Sequence, residues 1–325
     1  MATRKLAPSF DDKRARIAAL ADQPPALATA ELRKYLGDRT AYLVGAAAEV
    51  AQKLELRELI PDLAAAFDRL LVDGATHDKG CAAKAKILEA LLSFDADVPS
   101  VYLAGVRHVQ REPAFPVAVD TAAPIRGLSA QALVQIDHPA ALLEVAPLLA
   151  DPEPMARTEA ARALGRSGLE PAGAVLHLKA LAGDTEPDTL QACYEGLLRL
   201  LPHRYLKVVA AAAGGEGARA EAAVLALGES RLREALPVLR EALASAAGPR
   251  ERQSVLMAIA LHRSDEACEL LLSMLEKAPE AHASAAITAL ALHRHDPRLA
   301  ERARKAVEAR GSSRLAAVLR EQFGG

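Results

Sequence analysis

Arg107, His108, Gln110, Arg111, Glu112 and Asp120 fall within one stretch, "GVRHVQREPAFPVAVDTAAP", residues 105–124. A second group, His77, Asp78, Lys79 and Cys81, lies in "VDGATHDKG" and the cysteine that follows it. If "SVYLAGVRHVQRE" is helical throughout, His108 and Glu112 share a face, and so do Arg107 and Arg111, because residues four apart are neighbours on a helix surface. Arg107, Arg111 and His108 would then suit an anion or an acidic side chain of a partner, with Glu112, Asp120, Arg126, His77 and Cys81 as further binding candidates beside them. His77, Cys81, His108 and Glu112 are donors a transition metal accepts, but His-x-x-x-Cys is a weak signature that needs two loops to converge. Plainer roles exist for the same residues. Asp120 or Thr121 can cap the helix that begins near Pro124. His108 and Glu112 can form a solvated pair. Arg126 can be an ordinary exposed helix residue, and the whole stretch can be a packing device over an irregular segment. No resident metal or cofactor is expected.

The elements that would position these groups are copies of one unit. "ALGRSG", "LLRLLP", "ALGES", "ALHRS" and "ALHRHD" mark helix ends anchored at Ala163, Gly196, Ala226, Ala260 and Ala291, at intervals of 33, 30, 34 and 31 residues. Fixed periods of this size mark stacked repeats. Earlier anchors fall at Ala132, Ala90 and, more faintly, Ala51. Each interval holds two helical patterns: "PAALLEVAPLLAD" puts Leu142, Val145, Leu148 and Leu149 on one stripe, and "MARTEAARALGRSG" is amphipathic with Gly168 at its end. No segment alternates with a period of two, so no strand is expected.

"DPEPMARTEAARALGRSG" resembles the second helix of a HEAT-like repeat, of the short kind also found in phycobilin lyases, through Asp151, Arg157, Ala160, Ala161, Ala163, Leu164 and Gly165. "EALPVLREALA" resembles a first helix of the same repeat. The resemblance implies an all-α, right-handed solenoid of stacked antiparallel helix pairs, about eight repeats, and it implies macromolecular binding more often than catalysis. One domain over residues 1–325 is expected, with irregular, long-looped repeats at 24–138, regular repeats at 139–310 and a terminal cap at 311–325.

The intervals from Ala51 to Ala90 and from Ala90 to Ala132 are 39 and 42, longer than the later ones. The excess lies in loops 72–80 and 111–124, each joining the first helix of a repeat to its second. Insertions at equivalent positions project from one edge of a solenoid, so the two loops are expected to be neighbours. A further column three places after the later anchors reads Arg166, Arg199, Glu229, Arg263 and Arg294, with His262 and His293 before the last two. It forms a basic ridge for an acidic or nucleic-acid partner, unless its cations only offset helix macrodipoles. "GGEGARA" is read as a Gly-rich turn between helices, since no strand precedes it. Cys193 and Cys268 sit in apolar stripes and are expected to be buried.

Bulk properties narrow the classes. Hydrophobic residues make up 51%, aromatics 3%, tryptophan is absent and the net charge is -2. No global attraction to nucleic acid or anionic lipid follows. A HEAT-like alkylpurine DNA glycosylase uses aromatic residues, tryptophan among them, which this chain lacks. Three scattered cysteines form no disulfide framework, "MATRKLAPSFDDKRARIAAL" has no apolar signal core, and no membrane span is seen. A cytoplasmic location is expected. The residues complete no catalytic motif, so a scaffold that binds a protein partner through the solenoid surface and the two loops is expected over an enzyme. The alternatives are an enzyme or ligand-binding site at loops 72–81 and 107–126, and nucleic-acid binding through the ridge.

Overall fold

The computed structural model describes residues 9–324. Residues 1–8, where the search for a signal core began, and Gly325, the last residue of the expected cap, lie outside the described residues. The chain divides into two compact units, Met1–Ser167 and Gly168–Gly325.

In the first unit α1 (Phe10–Leu20) precedes four helix pairs: α2 (Pro25–Leu36) with α3 (Ala41–Lys53), α4 (Ile60–Leu71) with α6 (Ala82–Ser93) across the single turn α5 (Gly74–His77), α7 (Pro99–Val106) with α8 (Ala123–Gln135), and α9 (Ala141–Val145) with α10 (Pro154–Arg166). In the second unit five pairs follow: α11 (Glu170–Ala182) with α12 (Pro187–Leu200), α13 (Pro202–Ala213) with α14 (Gly217–Ser230), α15 (Ala235–Ser245) with α16 (Pro249–His262), α17 (Asp265–Lys277) with α18 (Glu280–Leu290), and α19 (Pro297–Arg310) with α20 (Ser313–Phe323). The all-α stack of helix pairs read from the repeats is therefore observed within each unit. One exception is a two-residue ladder, β1 (Arg111–Glu112) against β2 (Val119–Asp120), antiparallel, with Arg111 opposite Asp120 and Glu112 opposite Val119. It was not expected, because two residues per strand are too few to leave a periodic signal.

Helix starts follow proline chemistry. Pro25, Pro99, Pro154, Pro187, Pro202, Pro249 and Pro297 each open a helix, where the missing N–H costs no hydrogen bond and the fixed φ suits the helix. The second helices pack on one another in series, α3, α6, α8 and α10 in the first unit and α12, α14, α16, α18 and α20 in the second. Small residues set how closely they approach. At Gly228 a Cβ would lie 2.3 Å from the Ala258 carbonyl oxygen and 2.7 Å from its Cα, so α14 touches the backbone of α16. Around these contacts the core is Ala, Leu, Val and Ile, with Phe67, Phe94 and Tyr102 as its largest aromatics in the first unit. The Tyr102 hydroxyl donates to the Ala96 carbonyl at 2.8 Å. Long side chains also tie one repeat to the next at helix ends. Arg69 donates to Leu36 O at 2.6 Å and Arg310 to Leu275 O at 3.0 Å, meeting carbonyls that a helix end leaves unpaired.

Gly228→Ala should cost about 1–3 kcal/mol, the usual range for overpacking, because the obstacle is backbone and cannot swing aside. Gly248→Ala, at a position with open space around it, should leave the urea midpoint nearly unchanged. Equal midpoints for the two variants would contradict the close approach.

Candidate functional site

The polar residues of the two loops rest on a pattern that repeats at a spacing of six: Asp78 and Lys84, Asp120 and Arg126, Asp151 and Arg157. In each case the aspartate stands at the turn before the second helix and the cation one turn inside it. Asp78 accepts N–H bonds from Ala83 (2.9 Å) and Lys84 (3.1 Å), Asp120 from Ala122 (2.9 Å), and Asp151 from Glu153 (2.8 Å). Lys84 Nζ lies 3.0 Å from Asp78 Oδ2, with the two side chains 0% and 2% exposed. It also donates to Leu70 O at 3.1 Å. Arg126 holds Asp120 at 2.8 Å and reaches the next repeat, where Nε and NH2 lie 2.8 and 2.9 Å from the Asp151 carboxylate. Arg157 donates to the carbonyls of Asp151 (2.9 Å) and Pro152 (3.1 Å). Buried charges persist only when paired and hydrogen-bonded, and Lys84 and Arg126 each hold a carboxylate and a backbone carbonyl.

The expectation that the two loops are neighbours agrees with the contacts between them. Glu112 Oε1 accepts from Gly80 N (2.7 Å), Gln110 Nε2 (2.7 Å) and Thr121 Oγ1 (2.8 Å). Gln110 Nε2 also donates to Asp78 O at 2.9 Å, and its backbone carbonyl accepts from Thr121 N at 2.9 Å. Gly74 makes room for this clasp, since a Cβ there would fall 2.2 Å from Gln110 Oε1. Hydrogen bonds from Gln110 and from the Gly80 amide hold the Glu112 carboxyl below its ordinary range.

Several sequence expectations are corrected. α7 ends at Val106, so His108 and Glu112 do not share a helical face and neither do Arg107 and Arg111. Arg107 is bound by Glu144 through Nε at 2.9 Å, Arg111 is exposed on β1, and the half-buried His108 places Nε2 3.4 Å from Gln110 Oε1. The three therefore form no anion cradle. Burial, with the Lys84 charge second, pushes the His108 imidazole down toward the neutral form. Asp120 does not cap α8, whose N-cap is Ala122; it closes the turn just before. Arg126 is 2% exposed, not an ordinary surface residue. Cys81 is buried, its Sγ 3.7 Å from Thr121 Oγ1, and burial pushes its thiol up, while His77 is exposed. Among the described residues no group of three or more His, Cys, Asp and Glu could hold a metal ion.

On the ridge, Arg166 at the end of α10 is exposed, as are Arg199, Arg263 and Arg294 in the second unit, and none of the four side chains makes a hydrogen bond or ion pair among the described residues. The histidines beside them turn inward instead: Nε2 of His262 lies 2.9 Å from Leu232 O, and Nε2 of His293 lies 2.8 Å from Ala260 O. "GGEGARA" is a turn into α14, as read. Cys193 is buried, its thiol pushed up to about 12, whereas Cys268 is only half-buried, against expectation.

Sequence reasoning missed Lys84 and Phe115. The six-residue spacing of three Asp–cation pairs would have revealed the first. Phe115 stands at the hairpin tip, 101% exposed, with Val117 and Val119 also exposed beside it and Val72 and Val109 exposed in the flanking segments. The hairpin thus has a polar, internally bonded base and an apolar, unpartnered tip.

Residues 112–198 match the family model for HEAT repeats. No curated protein matches the chain. Among solved structures the chain is similar to a Kap121p mutant (14% identity, TM-score 0.47, covering 99% of this chain and 41% of that one). It is also similar to human deoxyhypusine hydroxylase in complex with glycerol (19%, TM-score 0.34, 81% and 98%) and to an engineered protein (16%, TM-score 0.39, 98% and 97%). The chain spans less than half the length of the Kap121p structure.

Burial works against the Asp120 carboxylate, but the Ala122 and Gln110 amides and the Arg126 guanidinium outweigh it and hold the group below its ordinary 3.8. A carboxyl depressed in the folded state stabilises above its unfolded pKa and loses that contribution as pH falls through the folded value. Asp120→Asn should therefore destabilise by about 3 kcal/mol at neutral pH, and the gap from the parent protein should close below pH 3.8 in urea titrations. A gap independent of pH would refute this role.

Proposed function

We propose that this chain is a helical-repeat scaffold that binds a protein partner, with the hairpin 107–122 as its principal docking element. The observation that carries the reading is the exposure of Phe115, Val117 and Val119 at a tip whose base is fixed by Glu112, Gln110 and Asp120. A large aromatic on a pre-positioned support loses little entropy when it is buried by a partner, and such residues dominate binding energy. The ionisable groups of the two loops support the same reading, because most are engaged in holding the loops together. His77, Lys79 and Arg111 are exposed around the base, as residues that tune orientation and encounter. No helix among the described residues is long and apolar enough to cross a membrane, and a cytoplasmic location is part of the proposal.

Replacing Phe115 and Val117 together by Ser should leave the melting temperature unchanged, since both side chains are exposed, and should remove a specific protein from affinity captures made in an extract of the source cells. Identical protein sets captured by the parent and the double variant would sink the reading.

A further inference from the structure

The second unit holds an open groove of about 730 Å³ between α15 and α17. Its apolar floor includes Leu243 and Leu270, both incompletely buried. Charge divides between its walls. Arg240 stands on α15, and Asp265, Glu266 and Glu269 stand on α17. Glu269 is taken by Arg302, which binds it with both NH groups at 2.6 and 2.7 Å. Asp265 and Glu266 are exposed and make no ion pair among the described residues. The first unit carries the complementary chemistry: an apolar tip at Phe115 and Val117, with Arg111 and Lys79 exposed and without ion pairs at its base.

We propose that the hairpin tip of one copy of this chain docks into the α15–α17 groove of a second copy. This rests on the reading of the hairpin as a docking element and names its partner. Phe115 and Val117 meet Leu243 and Leu270, and Arg111 and Lys79 face Asp265 and Glu266 on the α17 wall. The two surfaces are different parts of the chain, one in each unit, so the contact is head-to-tail. Each pair keeps one free hairpin and one free groove, and association continues into rings or open chains. The three hydrogen bonds on Glu112 hold the tip ready before contact, which lowers the ordering cost of docking.

Sedimentation velocity of the full chain over a wide concentration range tests this. The parent protein should show a mass that rises with concentration. Phe115→Ser and Leu270→Arg should each weaken self-association by at least about tenfold, with unchanged melting temperatures. An equimolar mixture of the two variants should stop at dimers, because only one sound hairpin and one sound groove remain per pair. Arg111→Glu should weaken association and Glu266→Arg should restore it in the same chain. A monomer at every concentration, self-association that survives Phe115→Ser, or a shape change that does not depend on concentration would each overturn the proposal. Loss of a foreign protein from captures by Phe115→Ser, with the parent chain monomeric throughout, would refute self-docking and leave the hairpin's docking role standing.

Discussion

A carboxylate placed six residues ahead of a cation, at the turn into a second helix, is the constraint on which the first unit depends. The helix cannot simply begin after the turn. Its first N–H groups need acceptors, and the Lys or Arg one turn inside needs a counter-charge. One aspartate serves both needs, accepting from the backbone and neutralising the cation. The full solution appears at Asp78 and Asp120, while Asp151 repeats its backbone half and neutralises Arg126 of the preceding repeat. The enlarged loops are tolerated because they attach to this ladder. Gln110 reaches the Asp78 carbonyl and donates its own N–H to Asp120, so the insertion borrows order from the repeats on either side.

Such an arrangement explains how a cluster rich in titratable residues can be structural. Acid, base and thiol chemistry need groups that are accessible and free to change partners. Here Glu112 receives three donors, Lys84 is enclosed, and Cys81 is shielded beside Thr121. What stays accessible is apolar: a phenylalanine and valines on a short ladder. The chemistry-bearing residues build a mount, and the mounted object is a hydrophobic one.

The repeat architecture was legible because period, proline placement and Ala-Leu stripes are local properties that many residues report together. Loop convergence was legible too, since equal insertions at equal phase must emerge on one edge. The internal bonding of the loops was not. Pattern alone extended the helix through His108 and Glu112, and nothing local to that segment marks Val106 as its end; the stop is set by the pull of Gln110 toward Asp78 and by the pairing of Arg111 with Asp120 across the ladder. Arg126 looked like a surface residue because its partners lie in its own turn and in the following repeat. The weight of Phe115 was invisible for a different reason: exposure is a property of the packed chain, and an aromatic in a Pro-rich loop can as well fold back as stand out.

Arg126 has a mechanical consequence. A stack of helix pairs behaves as a spring, because adjacent repeats slide on apolar surfaces that offer little directional resistance. Arg126 grips the aspartates of two successive repeats at once, so that joint resists shear through directed, charge-assisted bonds. Strain applied to this unit would pass over that joint and collect where no buried ion pair crosses between repeats. The hairpin emerges beside this joint, and a load arriving at its tip would be transmitted to the stack instead of being absorbed locally.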